Sequence, residues 1–224
     1  MSDQKAEKNA MSGRDARFWD KSARKYAASP IGDEAGFERT LARTRALLAP
    51  SARVLELGCG TGTAALRLAD AAGSYLGTDI SAGMIAIAKE KLQGVRRDDL
   101  DDRLMFRQST ADFLAREEQR YDRVIGLNYL HLAGNLPDVL EHVRSLLVPG
   151  GIFISKTPCI GDMSVLIRLA IPLMRLAGKA PSVTTFTAAS LEQAIREAGF
   201  AILENVGHGS KGKDIRPFIV ARAP

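Results

Sequence analysis

Short apolar runs alternate with longer amphipathic segments along most of this chain. Arg53-Val54-Leu55-Glu56-Leu57 predicts a strand, and Ala64 to Ala72 a helix after it. Ser74 to Asp79 predicts a second strand and Ala82 to Leu92 its helix. Leu104 to Gln108 reads as a third strand, Phe113 to Glu118 as a short helix, and Asp122 to Gly126 as a fourth strand. Pro137 to Leu147 predicts a helix with proline at its first turn. Pro149-Gly150 then turns the chain into a fifth strand, Gly151 to Ser155. Ala188 to Ala198 is helical and closed by Gly199, and Ala201 to Val206 and Ile215 to Ala221 are the last strands. About eight residues without a helix join that last pair, which predicts an antiparallel hairpin at one sheet edge. The remainder predicts an open α/β sheet covered on both faces.

Three segments fall outside the alternation. Residues 1 to 13 read as a flexible tail. Arg14 to Tyr26 and Asp33 to Leu48 read as helices, so 14–48 forms an N-terminal cover on a single domain spanning 14–224. Residues 159–187 read as a lid insertion over the C-terminal edge of the sheet. Its apolar run, Val165 to Leu176, predicts a helix packed on the body, with Arg168, Pro172, Arg175 and Lys179 on another face. Pro172 is expected to kink or divide it.

Composition adds limits rather than identity. Among 224 residues, 46% are hydrophobic and 25% charged, which fits a globular chain. Two cysteines exclude a disulfide scaffold. No signal peptide and no membrane-spanning run is read, so a reducing cytoplasm is the expected location. The net charge of +5 is spread in pairs such as Arg96-Arg97 and Lys211 with Lys213. With no basic stripe and one tryptophan, a nucleic-acid partner is disfavoured.

The chemistry begins at Glu56-Leu57-Gly58-Cys59-Gly60-Thr61-Gly62-Thr63. Glycines directly after a strand let backbone approach a ligand closely. Thr63 stands where a dinucleotide fingerprint has its third glycine, and the loop has no lysine for a P-loop. Glu56, inside the strand, is hard to explain as packing but suits a cation. Asp79 ends strand two, 21 residues after Gly58, where it can accept both hydroxyls of a ribose or cap the next helix.

Together with Tyr121-Asp122-Arg123-Val124-Ile125 and Leu147-Val148-Pro149-Gly150-Gly151, these residues closely resemble the class I S-adenosylmethionine-dependent methyltransferases, of small-molecule type. The resemblance implies a Rossmann-like seven-stranded sheet, order 3-2-1-4-5-7-6, with strand 7 antiparallel. It implies S-adenosyl-L-methionine as cofactor and S-adenosyl-L-homocysteine as product. Gly58, Gly60 and Gly62 should pass beneath the methionine part, Glu56 face its amino group, and Asp79 bind the ribose. Ile80 and Phe113 should pack near the adenine, Asp112 reach its amino group, and Asn128 border the methionine part. Cys59, which small size explains better than reactivity, and Met84 complete that set.

Transfer from a sulfonium needs no protein nucleophile. His131, just beyond strand four, is either a proton-accepting base or a wall of the pocket. Tyr26 either lines the acceptor cavity or belongs only to the cover. His142 reads as a helix-surface residue and His208 as a weak candidate in the last loop. No metal site is read. The expected activity is methyl transfer to oxygen or nitrogen of a small, partly hydrophobic molecule. Two other readings stand beside it: a lipid or quinone-like acceptor at a membrane surface, with peripheral contact only, and a cofactor-binding module without catalysis. Monomer and homodimer both remain open.

Overall fold

The computed structural model describes residues 2–95, 100, 102–176, 178, 180–210 and 214–224, with side chains from residue 13 onward. Arg96, Arg97, Lys179, Lys211 and Lys213 lie outside the described residues. Seven strands form one sheet: β1 (Arg53–Leu57), β2 (Ser74–Asp79), β3 (Leu104–Gln108), β4 (Tyr121–Leu127), β5 (Leu147–Lys156), β6 (Ala201–Val206) and β7 (Phe218–Arg222). Their order is β3-β2-β1-β4-β5-β7-β6. β1 to β5 pair in parallel, and β7 runs antiparallel to both of its neighbours. The expected topology and terminal hairpin are therefore present.

Side-chain alternation along the central strands divides the core in two. Leu55, Leu57, Val124 and Phe153 point to the face covered by α5 (Ala111–Leu114), α6 (Leu136–Leu146) and α8 (Ala188–Glu197). Val54, Ile125, Ile152 and Ile154 point to the other face. That face is covered by α2 (Glu34–Arg45), α3 (Ala65–Leu68) and α4 (Ala82–Gly94). Burial on both faces is what a parallel sheet requires of its central strands. The strand order reverses between β1 and β4, which opens a crevice at their C-terminal ends.

The helices depart from the sequence pattern in specific ways. α1 runs unbroken over Ser2–Ala28, beginning inside the stretch read as a tail. That stretch has no proline and is rich in Ala, Lys, Glu and Gln, so local propensity favours continuing the helix. α3 is one turn followed by a 3-10 turn at Ala69–Ala71. α5 starts earlier than expected, with Thr110 as its extended N-cap, and Glu117 pairs with Arg107 at 2.9 Å instead of prolonging it. β7 begins at Phe218, because Ile215 is held away from the ladder by the Cys159 N–H at 2.9 Å.

The largest departure is α7 (Val165–Leu176). Pro172 lies inside it without dividing it, and none of its residues is buried. Its periodicity specifies an apolar face but not what covers that face, so the expected packing on the body is not found.

Candidate functional site

The loop after β1 depends on a conformation that only glycine adopts cheaply. Gly58, Gly60 and Gly62 have φ of 67°, 54° and 75°. A β-carbon on Gly58 would lie 2.8 Å from the Tyr129 ring, and one on Gly62 would lie 2.7 Å from Phe106. At Gly60 the nearest atom to such a carbon is Tyr26 Cε1, at 3.7 Å. Gly60 therefore has room above it, bounded by α1.

Two carboxylates flank this loop. Asp79 Oδ2 accepts the Gly60 N–H at 3.0 Å and Oδ1 accepts the Ser81 N–H at 2.9 Å. Each oxygen keeps a further lone pair for a hydroxyl donor. Burial raises the Asp79 pKa despite those two bonds. Glu56 is 2% exposed and accepts one bond, from the Tyr75 hydroxyl at 2.9 Å. Burial pushes its pKa up to about 7. No cationic side chain among the described residues offsets its charge, so the site is electrostatically prepared for a positive group.

α1 closes this region from above. Asp20 Oδ1 accepts the Ser81 hydroxyl at 2.6 Å and the Gly83 N–H at 2.9 Å, which ties α1 to the start of α4. Ala23, Met84 and Ile87 pack with Trp19 and Ala27 in the same contact. Met84 is thus buried in the α1–α4 seam, where its side chain serves packing. Tyr26, one turn beyond Ala23, reaches the glycine loop, and burial with Asp79 and Glu56 nearby raises its pKa.

The other expected ring contacts lie at the open rim. Phe113 is 57% exposed, and Asp112 accepts the Thr110 hydroxyl at 2.6 Å and pairs with Arg116 at 3.4 Å. The Ile80 carbonyl accepts from Gln108 at 2.9 Å. Cys59 is buried, its N–H is donated to Thr78, and burial raises its thiol pKa.

Beyond β4 the chain turns sharply at Asn128, whose φ is 55°, and whose N–H is held by the Lys156 carbonyl at 2.6 Å. Tyr129 then packs over Gly58 and Gly126. His131 Nδ1 lies 3.0 Å from Thr157 Oγ1, which also accepts the His131 N–H at 3.3 Å. Burial lowers the His131 pKa to about 4, so the ring is neutral at physiological pH. Asn128 also lines a cavity of about 370 Å³ with Asp33, Pro158, Met163, Ile215 and Arg216. The cavity thus adjoins the strand end next to the glycine loop.

A methyltransferase domain family model matches residues 21–205, which include Tyr26, the glycine loop, Asp79, Asn128 and His131. The chain belongs to this methyltransferase family. Its sheet order is that of a class I S-adenosylmethionine-dependent methyltransferase. The structure of magnesium protoporphyrin IX methyltransferase from Synechocystis PCC 6803 with bound S-adenosylhomocysteine has the same fold. Its TM-score is 0.69 at 20% identity, covering 96% of this chain and 98% of that one. The CurJ carbon methyltransferase gives a TM-score of 0.57 at 26% identity, covering 77% and 48%. The highly reducing polyketide synthase lcsB of Purpureocillium lilacinum is 36% identical over 133 residues, 54% of this chain. A hybrid synthetase, fsa1 of a Fusarium species, is 32% identical over 137 residues, 58% of this chain. This methyltransferase spans only 5% and 3% of the lengths of those two relatives.

The residues present fit the cofactor on two observations: a buried carboxylate lacking a cation among the described residues, and the open space over Gly60 that a β-carbon would enter. Several residues of the site were not legible in the sequence. Asp20 and Thr157 act through partners 61 and 26 positions away. His208, the weak candidate in the last loop, is instead buried, 3.1 Å from Thr40 and stacked on Phe218. Lys156 is also buried there, donating to Thr40 at 3.0 Å. Cys159 is fully buried, and burial pushes its thiol up to about 12.

Proposed function

We propose that this methyltransferase modifies an oxygen or nitrogen of a small, partly hydrophobic molecule held in the cavity beside Asn128. The observation that carries this reading is the adjacency of that cavity to the end of β4, opposite the glycine loop. Its wall mixes Pro158, Met163 and Ile215 with the polar Asp33 and Arg216. Such a wall suits a molecule that is apolar over part of its surface and polar elsewhere.

The cofactor supplies a methyl group already activated on a sulfonium. The chain's own task is to bind, orient and exclude water. Asp79 accepts the ribose hydroxyls and Glu56 balances the ammonium charge. Gly58, Gly60 and Gly62 leave room for the methionine part. Ile80, Asp112 and Phe113 flank the adenine, and Tyr26 covers the loop from α1. His131 takes the acceptor's proton. In the tautomer whose Nδ1–H donates to Thr157, its Nε2 carries a free lone pair. Burial keeps the ring neutral with its lone pair available, and the same burial makes it a weak base, suited to an acceptor that sheds its proton as the methyl group arrives.

A carbon acceptor is a second reading, favoured by the resemblance to polyketide synthases and to a carbon methyltransferase. An acidic C–H would use the same base. Transfer of a carbon-13 methyl group to an extract-derived acceptor separates the two by the methyl chemical shift. An O- or N-methyl signal supports the first reading, and a C-methyl signal replaces it with the second. His131→Ala should lower kcat by about 10²-fold or more while leaving S-adenosylhomocysteine affinity unchanged. An unaltered kcat would remove His131 from the chemistry.

A further inference from the structure

α7 carries the largest uncovered apolar surface among the described residues, and the methyl-transfer site does not use it. Leu166, Leu169, Leu173 and Leu176 recur at spacings of three, four and three, which aligns them on one helix face. They are 81%, 65%, 68% and 87% exposed. Ile171, on the opposite side, is the least exposed residue of the helix. The leucine face therefore points away from the body. Arg168 and Arg175, seven residues apart, lie together on the polar side of the helix, away from the leucine face, and are exposed. No aspartate or glutamate occurs anywhere from Met163 to Leu191.

We propose that this face docks on an anionic lipid bilayer, with the leucines in the acyl boundary and Arg168 and Arg175 at the headgroups. A leucine stripe on one side, arginines on the other and no carboxylates is the chemistry of an in-plane interfacial helix. Long arginine stems reach the headgroup level from such a position. At 12 residues the helix is too short to cross the bilayer. A second copy of the chain is a poorer occupant. It would bring an identical cationic helix, with no carboxylate between Met163 and Leu191 to offset Arg168 and Arg175. Docking stands independently of the methyl-transfer reading. One consequence rests on that reading: Met163 lines the cavity and α7 starts two residues later, so a docked protein holds its cavity near the lipid.

The test is co-sedimentation of the full chain with vesicles of phosphatidylcholine alone and of phosphatidylcholine with phosphatidylserine. Partitioning should be at least about tenfold stronger onto the serine-containing vesicles and should weaken with salt. The pair Leu169→Glu with Leu173→Glu should reduce it at least about tenfold. S-adenosylhomocysteine binding, read by calorimetry on the same preparation, should not change. No association with either vesicle overturns the proposal. So does full binding by the double variant, which would assign the attraction to the overall charge of +5. A dimer in light scattering that the double variant dissolves, with no vesicle binding, assigns the face to a second copy instead. Should the glutamate pair lose its fold, Arg168→Gln with Arg175→Gln provides the check. It should cost about tenfold on serine-containing vesicles, and unchanged partitioning overturns the proposal.

Discussion

Glu56 and Asp79 are kept at a cost to the empty protein. Glu56 has a folded pKa of about 7, above its ordinary value of 4.5. The folded state therefore holds the proton more tightly, and that advantage is full below pH 4.5 and lost as pH rises through 7. Glu56→Gln should raise Tm relative to the natural protein. The difference should grow between pH 4.5 and 7 and then level off. The same variant should bind S-adenosylhomocysteine more weakly, because the ammonium loses its counter-charge. A melting difference independent of pH would show that burial is not what perturbs Glu56. Asp79→Ala should weaken that binding by about tenfold or more, through lost charge-assisted hydrogen bonds; calorimetry reads this directly, and unchanged affinity removes the ribose assignment. Gly62→Ala should destabilise by about 1–3 kcal/mol in denaturant unfolding, since its β-carbon would meet Phe106 at 2.7 Å in a left-handed backbone. These residues are legible in the sequence because their backbone and charge requirements are local. The Thr40–Lys156–His208 cluster is not, because its bonds span 116 and 168 positions.

At the scale of elements, β1, β2, β3 and β6 have the bounds their apolar alternation predicts. Helix ends shift more, because their caps are set by single side chains such as Thr187 or by distant ones such as Asp20. Ser81 caps α4 locally by accepting the Met84 N–H at 3.0 Å, and Asp20 adds a distant cap, accepting from both Ser81 and Gly83. Asp20→Ala should cost about 1 kcal/mol of stability. It should also speed amide exchange across residues 14–28 selectively, since α1 is held to the body chiefly through α4. Uniform acceleration over the whole chain would mean that α1 and the sheet open together. α7 marks the opposite limit of pattern reading. Its period and both ends are as expected from Val165 to Leu176, yet the helix faces outward. Periodicity reports that a face exists and leaves its partner unspecified.

The whole molecule places two different surfaces at one end of the sheet. The strand-order reversal between β1 and β4 opens the crevice proposed for the cofactor, and Asn128, at the end of β4, lines the cavity proposed for the acceptor. Among the described residues no helix is long and apolar enough to cross a membrane. The overall topology was legible because strands and helices alternate so regularly. The cavity proposed for the acceptor was not, because Asp33, Met163 and Arg216 come from three segments far apart in the chain. The most direct measurement of the central claim is incubation of the protein with methyl-labelled S-adenosylmethionine and a metabolite extract. Products are then followed by mass spectrometry. The expected result is label in a discrete small molecule together with an equal amount of S-adenosylhomocysteine, both abolished by Asp79→Ala. Tight cofactor binding without any transferred label would contradict it and leave a binding module in place of an enzyme.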